Sequence, residues 1–340
     1  MASVAVLGAS GYGGVESLRL LAGHPSLEVV YASADSAAGE LVADVHPSLA
    51  ASYPGMRYTR FDPADVAGVD LVLCGLPSGA SAAVVVDILP KVGHVVDLGA
   101  DFRLRDPASY PKWYGWEHPA PEMLSDAAFG IPELYRDDLR DAPLIAAAGC
   151  YVTAAALALR PFVARGAVET AGIIVDAASG VSGAGRGLKH GSMFGTVDED
   201  FTAYALCDHR HTPEMEQVIG AQLLFTPHLA PMTRGILATC YARPTTGGLA
   251  DTASALAILA DAYAGEPFVV VGERIPSTKA TRGANTVHLT ARVDERTGWL
   301  IVISAIDNMV KGAAGQAIQC ANLALGLDET LGLPVVGMAL

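Results

Sequence analysis

Residues 3–14 read SVAVLGASGYGG, a short apolar run that stops at Gly8 and passes into a loop carrying Gly8, Gly11 and Gly14. The run before the loop has the composition of a strand. The residues after it, GVESLRLLAG (14–23), repeat apolar side chains at Val15, Leu18 and Leu21, the spacing of a helix. The GxxGxxG spacing is not the commoner GxGxxG, but a place between a strand and a helix is the context that gives such a loop meaning. Glycines let the backbone turn sharply and come close to a pyrophosphate, and the helix N-terminus supplies the positive end of its dipole. The stretch therefore predicts a dinucleotide-binding strand–loop–helix unit at the start of a doubly wound α/β sheet.

The neighbouring sequence extends that pattern. LEVVYAS (27–33), VDLVLCGLP (69–77) and HVVDLGA (94–100) read as further strands, with GASAAVVVDILPKVG (79–93) as a helix between the last two. Short apolar strands alternating with helices indicate a parallel sheet of Rossmann type. From about residue 105 to 140 the chain turns irregular and rich in proline and large aromatics. Disordered linkers are poor in such aromatics, so this is a folded excursion.

Beyond residue 150 the pattern changes. AGIIVDAASG (171–180) and GILATCYARPT (235–245) are strand-like, and NTVHLTARVDERTGWLIVISAID (285–307) reads as two antiparallel strands joined at ERTG. DTASALAILADAYAG (251–265) is a helix among them, and KGAAGQAIQCANLALGL (311–327) a final helix. This predicts a second, α+β domain with a mixed or antiparallel sheet. The expected division is 1–149 with 308–340 for the Rossmann domain and 150–307 for the other.

Composition narrows the function. At 340 residues and 51% hydrophobic the chain is long enough for two domains, and a net charge of -14 disfavours nucleic acid and anionic membranes as partners. Met1 leads directly into the first strand without a basic signal-peptide region, and the longest uncharged stretch is too short to span a bilayer. A cytoplasmic protein is expected. The five cysteines, at 74, 150, 207, 240 and 320, form no CxxC pair, so neither a metal site nor a disulfide framework is expected.

Three constellations point to chemistry. A lone cysteine in an apolar stretch is more often core than catalyst. In AAGCYVT (147–153), however, Gly149 permits a sharp turn and the residues after Cys150 look helical. That puts the thiol near a helix N-terminus, where the dipole favours the nucleophilic thiolate. In HRHTPEMEQV (209–218), Thr212, Pro213 and Glu214 read as a helix start with Thr212 as the cap, so His209 and His211 lie on the entering loop. Either imidazole would serve as acid/base toward the thiol, and Glu214 would orient His211. In SGVSGAGRG (179–187) and LKHGSMFG (188–195), small residues beside Arg186 and Lys189 make a loop suited to an anion. As for the dinucleotide, the acidic residue that NAD sites carry ~20 residues after the loop is replaced by Ser33. Ser33 and Ser36 suit a 2′-phosphate, which points to NADP(H), although Asp35 lies beside them.

Taken in order, GASGYGG (8–14), ADFR (100–103), GCYVT (149–153), SGVSGAGR (179–186), HRHTPE (209–214), FTPHLAPMTRGI (225–236) and DNMVKGAAGQAIQ (307–319) resemble the N-acetyl-γ-glutamyl-phosphate reductase family, arginine-pathway relatives of aspartate-semialdehyde dehydrogenase. The resemblance spans almost the whole chain. The family commonly has proline where Val152 stands.

The resemblance implies an NADPH-dependent reduction of an acyl phosphate to a semialdehyde through a thioester on Cys150. It implies His211 or His209 as acid/base with Glu214 in support. Gly8, Ser10, Gly11, Tyr12, Gly13, Gly14, Pro77 and Ser182 would lie at the cofactor, and Asn308 near its nicotinamide end. Arg103, Ser179, Gly180, Gly183, Arg186 and Lys189 would meet substrate. A homodimer or homotetramer built on the second domain is also implied. Related acyl-phosphate reductases acting on an aspartyl or acetyl-aminoadipyl phosphate stay open at this point, as does a dinucleotide-sensing protein without catalysis.

Overall fold

A computed structural model describes residues 1–338. The chain divides into two compact units, one of residues 1–148 and 313–333, the other of residues 149–312 and the stretch from Pro334 on.

The first unit holds a six-stranded sheet of β1 (Ala2–Leu7), β2 (Leu27–Ala32), β3 (Leu71–Cys74), β4 (His94–Asp97), β5 (Ala128–Gly130) and β6 (Leu144–Ala147) in the order β2-β1-β3-β4-β6-β5. Every pairing is parallel. A parallel sheet covered on both faces needs strands that are apolar throughout. LVLC of β3 and LIAA of β6 are buried at every position. The helix Tyr12–Leu21 buries Leu18 and Leu21, and the helix Ser81–Ile88 buries Ala82, Val85 and Ile88.

The Rossmann reading is borne out, and the irregular segment has more order than expected. It contains a short helix, Ser109–Trp113, the edge strand β5 and the helix Pro132–Leu139. Tyr110 stacks on Tyr114 with ring centroids 5.3 Å apart, with Trp116 and His118 beside it. A three-residue strand inside a proline-rich stretch leaves no periodicity to read. The helix Gly315–Ala324 is buried along its whole length. Two of its buried amides are tied down: Gln319 donates to Glu329 at 2.9 Å, Asn322 donates to the Leu331 carbonyl at 2.9 Å, and the Asn322 Oδ1 meets the His24 ring at 3.1 Å.

The second unit is built on β7 (Ile173–Gly180), β8 (Thr202–Ala203), β9 (Leu223–Ala230), β10 (Ile236–Ala242), β11 (Val269–Val271), β12 (Val287–Asp294) and β13 (Trp299–Ile306), ordered β11-β12-β13-β10-β7-β9-β8. The sheet is mixed: β10 runs antiparallel to β13 and β7, while β7 runs parallel to β9. The ERTG turn joins β12 to β13, with Gly298 at φ +73° and its N–H donating to the Asp294 carbonyl at 2.7 Å. Alternation marks β10, ILATCYA, whose Ile236, Ala238, Cys240 and Ala242 are buried. The helix Cys150–Ala164 packs on β10 and β13 and against the helix His211–Ile219.

The start of that second helix differs from expectation. Arg210, not Thr212, occupies the N-cap position, and no side chain caps it. Thr212 and Pro213 lie in the first turn, where the missing proline N–H would have had no intrahelical partner.

Candidate active site

The glycine loop closes on itself in the first unit. Gly8 has φ +68°, and a Cβ there would stand 2.5 Å from the Gly75 carbonyl oxygen. At Gly14 a Cβ would meet Ala9 Cα and the Gly8 oxygen at 2.5 Å, so the helix can enter this tightly only without a side chain. Gly11 is the N-cap of Tyr12–Leu21 and no side chain caps the helix. The first helical N–H groups therefore remain available to an anion. This arrangement fits the phosphates of a dinucleotide.

Ser10 borders the loop half-buried, and Tyr12 stands 41% exposed beside it. Ser33 is buried at the end of β2, its N–H donating to Val6 and its carbonyl accepting from Ala9. Asp35 and Ser36 are exposed. The exposed Pro77 follows β3, and its carbonyl accepts the Ala80 N–H at 3.0 Å. The ADFR segment anchors this loop. The buried Asp101 carboxylate accepts the Gly79 and Ala82 N–H groups at 2.8 and 3.0 Å, and the buried Arg103 donates to the Leu98 carbonyl at 2.9 Å.

The second unit contains a cavity of about 560 Å³ whose lining includes Cys150, His209, His211, Tyr204, Lys189 and Arg210. Cys150 is the first residue of its helix, with Gly149 at the N-cap and the thiol partly exposed. An anion on that sulfur lies at the favourable end of the helix dipole. Gly149 has φ −64°, which any residue adopts, so its glycine is not required by the turn. The requirement is space: a Cβ at Gly149 would lie 2.5 Å from His211 Nε2. The imidazole thus rests on the backbone just before the cysteine. From beneath, the fully buried Glu214 accepts the Gly149 N–H through Oε1 at 2.8 Å.

His209 lies one ring away, its centroid 4.8 Å from that of His211. Its Nδ1 accepts the His211 backbone N–H at 3.1 Å, so in the neutral ring Nε2 carries the proton. Burial pushes the His209 pKa down to about 4, and the neighbouring Arg210 charge adds to this. A neutral His209 is a positioned ring and a poor proton donor near pH 7. Tyr204 donates to the Tyr151 hydroxyl at 3.2 Å, which itself donates to the His228 carbonyl at 3.2 Å. Burial pushes Tyr204 up to about 12 and Tyr151 higher still, so both remain neutral donors.

The predicted anion loop runs off the end of β7. Ser179, Gly180 and Gly183 line the cavity, as does Lys189, while Arg186 is not part of the lining. Asn308 is buried and both ends of its amide are engaged. Its Oδ1 accepts the Gly235 N–H at 2.7 Å and its Nδ2 donates to Ser182 Oγ at 2.9 Å. In this structure Ser182 and Asn308 hold the β7 and β10 ends together.

Tyr204 and Arg210 line the cavity without having been singled out from sequence. Arg210 stood between the two histidines and was legible by position. Tyr204 lies in an irregular segment with no motif. Together the cavity supplies a nucleophile at a helix start, an imidazole against it, neutral phenols and two cations. That set serves acyl transfer from an anionic substrate.

Residues 3–142 match the family described as "Semialdehyde dehydrogenase, NAD binding domain" and residues 150–308 that described as "Semialdehyde dehydrogenase, dimerisation domain". The chain is 48% identical to the N-acetyl-gamma-glutamyl-phosphate reductase of Symbiobacterium thermophilum, covering 97% of each chain. It is 46% identical to that of Geobacter sulfurreducens, covering 100% of this chain and 99% of the other. In solved structures the same fold occurs in aspartate semialdehyde dehydrogenase II from Vibrio cholerae, with a TM-score of 0.71 at 17% identity over 96% and 98% of the two chains. It also occurs in the Candida albicans enzyme, with a TM-score of 0.71 at 16% identity over 95% and 98%. These two likenesses speak for the fold alone. With nearly half its residues shared along its full length, the chain belongs to the N-acetyl-gamma-glutamyl-phosphate reductase family.

Proposed function

We propose that the protein reduces N-acetyl-γ-glutamyl phosphate to N-acetylglutamate 5-semialdehyde and phosphate, with Cys150 as nucleophile, as a step in arginine biosynthesis. The observation that carries this reading is the convergence at Gly149–Cys150. A partly exposed thiol opens a helix, a ring nitrogen of His211 rests on the preceding residue, and Glu214 holds that residue's N–H.

The chemistry follows from the groups present. A free carboxylate resists hydride, whereas an acyl phosphate has a good leaving group. The Cys150 thiolate attacks the acyl carbon, the carbon–oxygen bond to phosphate breaks, and a thioester forms. A reduced dinucleotide supplies hydride when bound, and Gly8, Gly11, Gly13 and Gly14 with the N–H groups of the Tyr12 helix would hold its phosphates. Ser36, exposed near the end of β2, supports NADPH over NADH, whereas Ser33 is buried there. His211 protonates the oxygen of the resulting thiohemiacetal and takes the proton back as the carbon–sulfur bond breaks. The aldehyde leaves and the thiolate is restored. His209, kept neutral, positions His211 through its backbone N–H. Lys189 and Arg210 supply positive groups for the phosphate and carboxylate of the substrate.

The first unit serves as the dinucleotide domain and the second as the catalytic and oligomerisation domain of a cytoplasmic homodimer or homotetramer. Among the described residues no helix is long and apolar enough to cross a membrane. The deciding assay runs the reaction backwards with NADP+ and phosphate on three semialdehydes: N-acetylglutamate, aspartate and acetyl-aminoadipate. Preference for the first supports the assignment, and preference for either of the others overturns it.

A further inference from the structure

We infer that Gly312 is a positioning residue for the nucleophile: the absence of a side chain there leaves the space in which the Cys150 Cβ sits. This rests on the reading of Cys150 as the nucleophile. A Cβ built on Gly312 lies 2.8 Å from Cys150 Cβ, 3.3 Å from Cys150 Cα and 3.3 Å from Ile306 Cδ1. The first of these is closer than two carbon atoms pack, and Cβ is not a flexible end that swings away. Gly312 does not have a positive φ. Its backbone therefore accepts alanine, and the requirement is one of space alone.

The chain reaches this point through an unusual turn. Residues Val310–Ala314 are π-helical, and the Gly312 N–H donates to the Asp307 carbonyl at 2.9 Å, five residues back. A π-turn carries one residue more than the α-helix it replaces, and such turns occur frequently at functional sites. Here its start is pinned. The buried Asp307 carboxylate accepts the Met309 and Val310 N–H groups through Oδ1 at 2.8 and 3.1 Å, and the Gly283 N–H through Oδ2 at 2.7 Å. Arg234 pairs with it at 3.6 Å, and the next residue, Asn308, is tied to Gly235 and Ser182. The turn cannot retreat from Cys150 without breaking these bonds. A methyl group at residue 312 would instead displace the first residue of the Cys150 helix, and the sulfur with it.

Two measurements test this. In steady state, Gly312→Ala should lower kcat by about 10- to 100-fold, the scale of a sub-ångström misplacement of a reacting group. KM should stay within about threefold, and the pH profile of iodoacetamide alkylation at Cys150 should shift. A purely structural role would leave that profile unmoved. An unchanged kcat and profile would overturn the inference.

The second measurement is thermal unfolding in four backgrounds and does not depend on turnover. Gly312→Ala should lower Tm in the wild type and equally in Cys150→Ala, which keeps the Cβ. The loss should largely vanish in Cys150→Gly, which removes it, and persist in Ile306→Val. An equal loss in the Cys150→Gly background would overturn the steric argument. If Gly312→Ala alone does not fold, Cys150→Gly should restore folding, and failure to do so counts against the inference in the same way. Full turnover by Cys150→Ala would instead remove the nucleophile reading and the catalytic half of the inference, while the Tm coupling would still report the contact.

Discussion

The carboxylate of Glu214 accepts the backbone N–H of Gly149 at 2.8 Å, so a fully buried acid 65 residues away fixes the peptide that precedes Cys150. Glu214 belongs to the helix that His211 begins. One helix therefore supplies both the ring resting on Gly149 and the acid that holds its N–H. Glu214→Gln keeps an acceptor oxygen and should retain most activity. Glu214→Ala leaves a buried N–H without its partner, at a cost of about 1–3 kcal/mol. It should lower kcat at least tenfold more than Glu214→Gln does, as read by thermal unfolding and initial rates on the same preparations.

Gly149→Ala separates space from flexibility. The backbone at Gly149 is already acceptable to alanine, so its strain should be small. The new Cβ would fall 2.5 Å from His211 Nε2 and drive the ring away. Turnover should fall about 100-fold while NADPH affinity, measured by fluorescence titration, stays within about twofold of the wild type.

Alkylation should sort the five cysteines. Cys74, Cys240 and Cys320 are buried, and burial pushes the Cys240 thiol up to about 12 and Cys74 up as well. Native iodoacetamide labelling should therefore be confined to the partly exposed Cys150 and the exposed Cys207. In a Cys207→Ser background one equivalent should react, inactivation should track it, and acyl phosphate should slow it. Cys150→Ser should lose turnover altogether. Peptide mapping that finds label at Cys74 or Cys240 in the folded protein would contradict this assignment.

The pH dependence of stability has two opposing contributions. Burial pushes the Asp97 pKa up from 3.8 to about 7, even though Gly99 N–H and Ser81 Oγ donate to it. Between those values the folded state holds a proton that the unfolded state has released, so this contribution to stability is lost as pH rises from about 4 to 7. Asp97→Asn should thus gain stability over the wild type, by roughly 1–3 kcal/mol at pH 8, with little difference at pH 4. His209, lowered from 6.5 to about 4, acts in the other direction: its contribution is present above pH 6.5 and lost as pH falls toward 4. Urea titrations at pH 4.5, 6 and 8 on Asp97→Asn and His209→Asn separate the two groups.

Much of this was legible in the linear chain because the relevant signals are local. A strand, a glycine loop and a helix within residues 2–21 announce a parallel sheet, and alternation in ILATCYA announces β10. Cys150 at a helix start needed only the apolar run behind it and Gly149 before it. Thr212 misled, because a threonine followed by proline suits a cap, yet the helix starts at His211, two residues before the start that such a cap implies. Edge strand β5 and cavity residue Tyr204 escaped because three-residue strands and irregular loops have no period.

The residue types that carry charge, nucleophile and anion loop, and the order of strand and helix, follow from composition and short-range spacing, which the chain possesses before it folds. Which imidazole touches the residue beside Cys150, why residue 149 must lack a side chain, and how close Gly312 passes to the Cys150 Cβ depend on segments far apart in the chain meeting at van der Waals distance. Only the packed tertiary structure brings such segments together, since the excluded volume of a neighbour distant in sequence leaves no trace in local pattern.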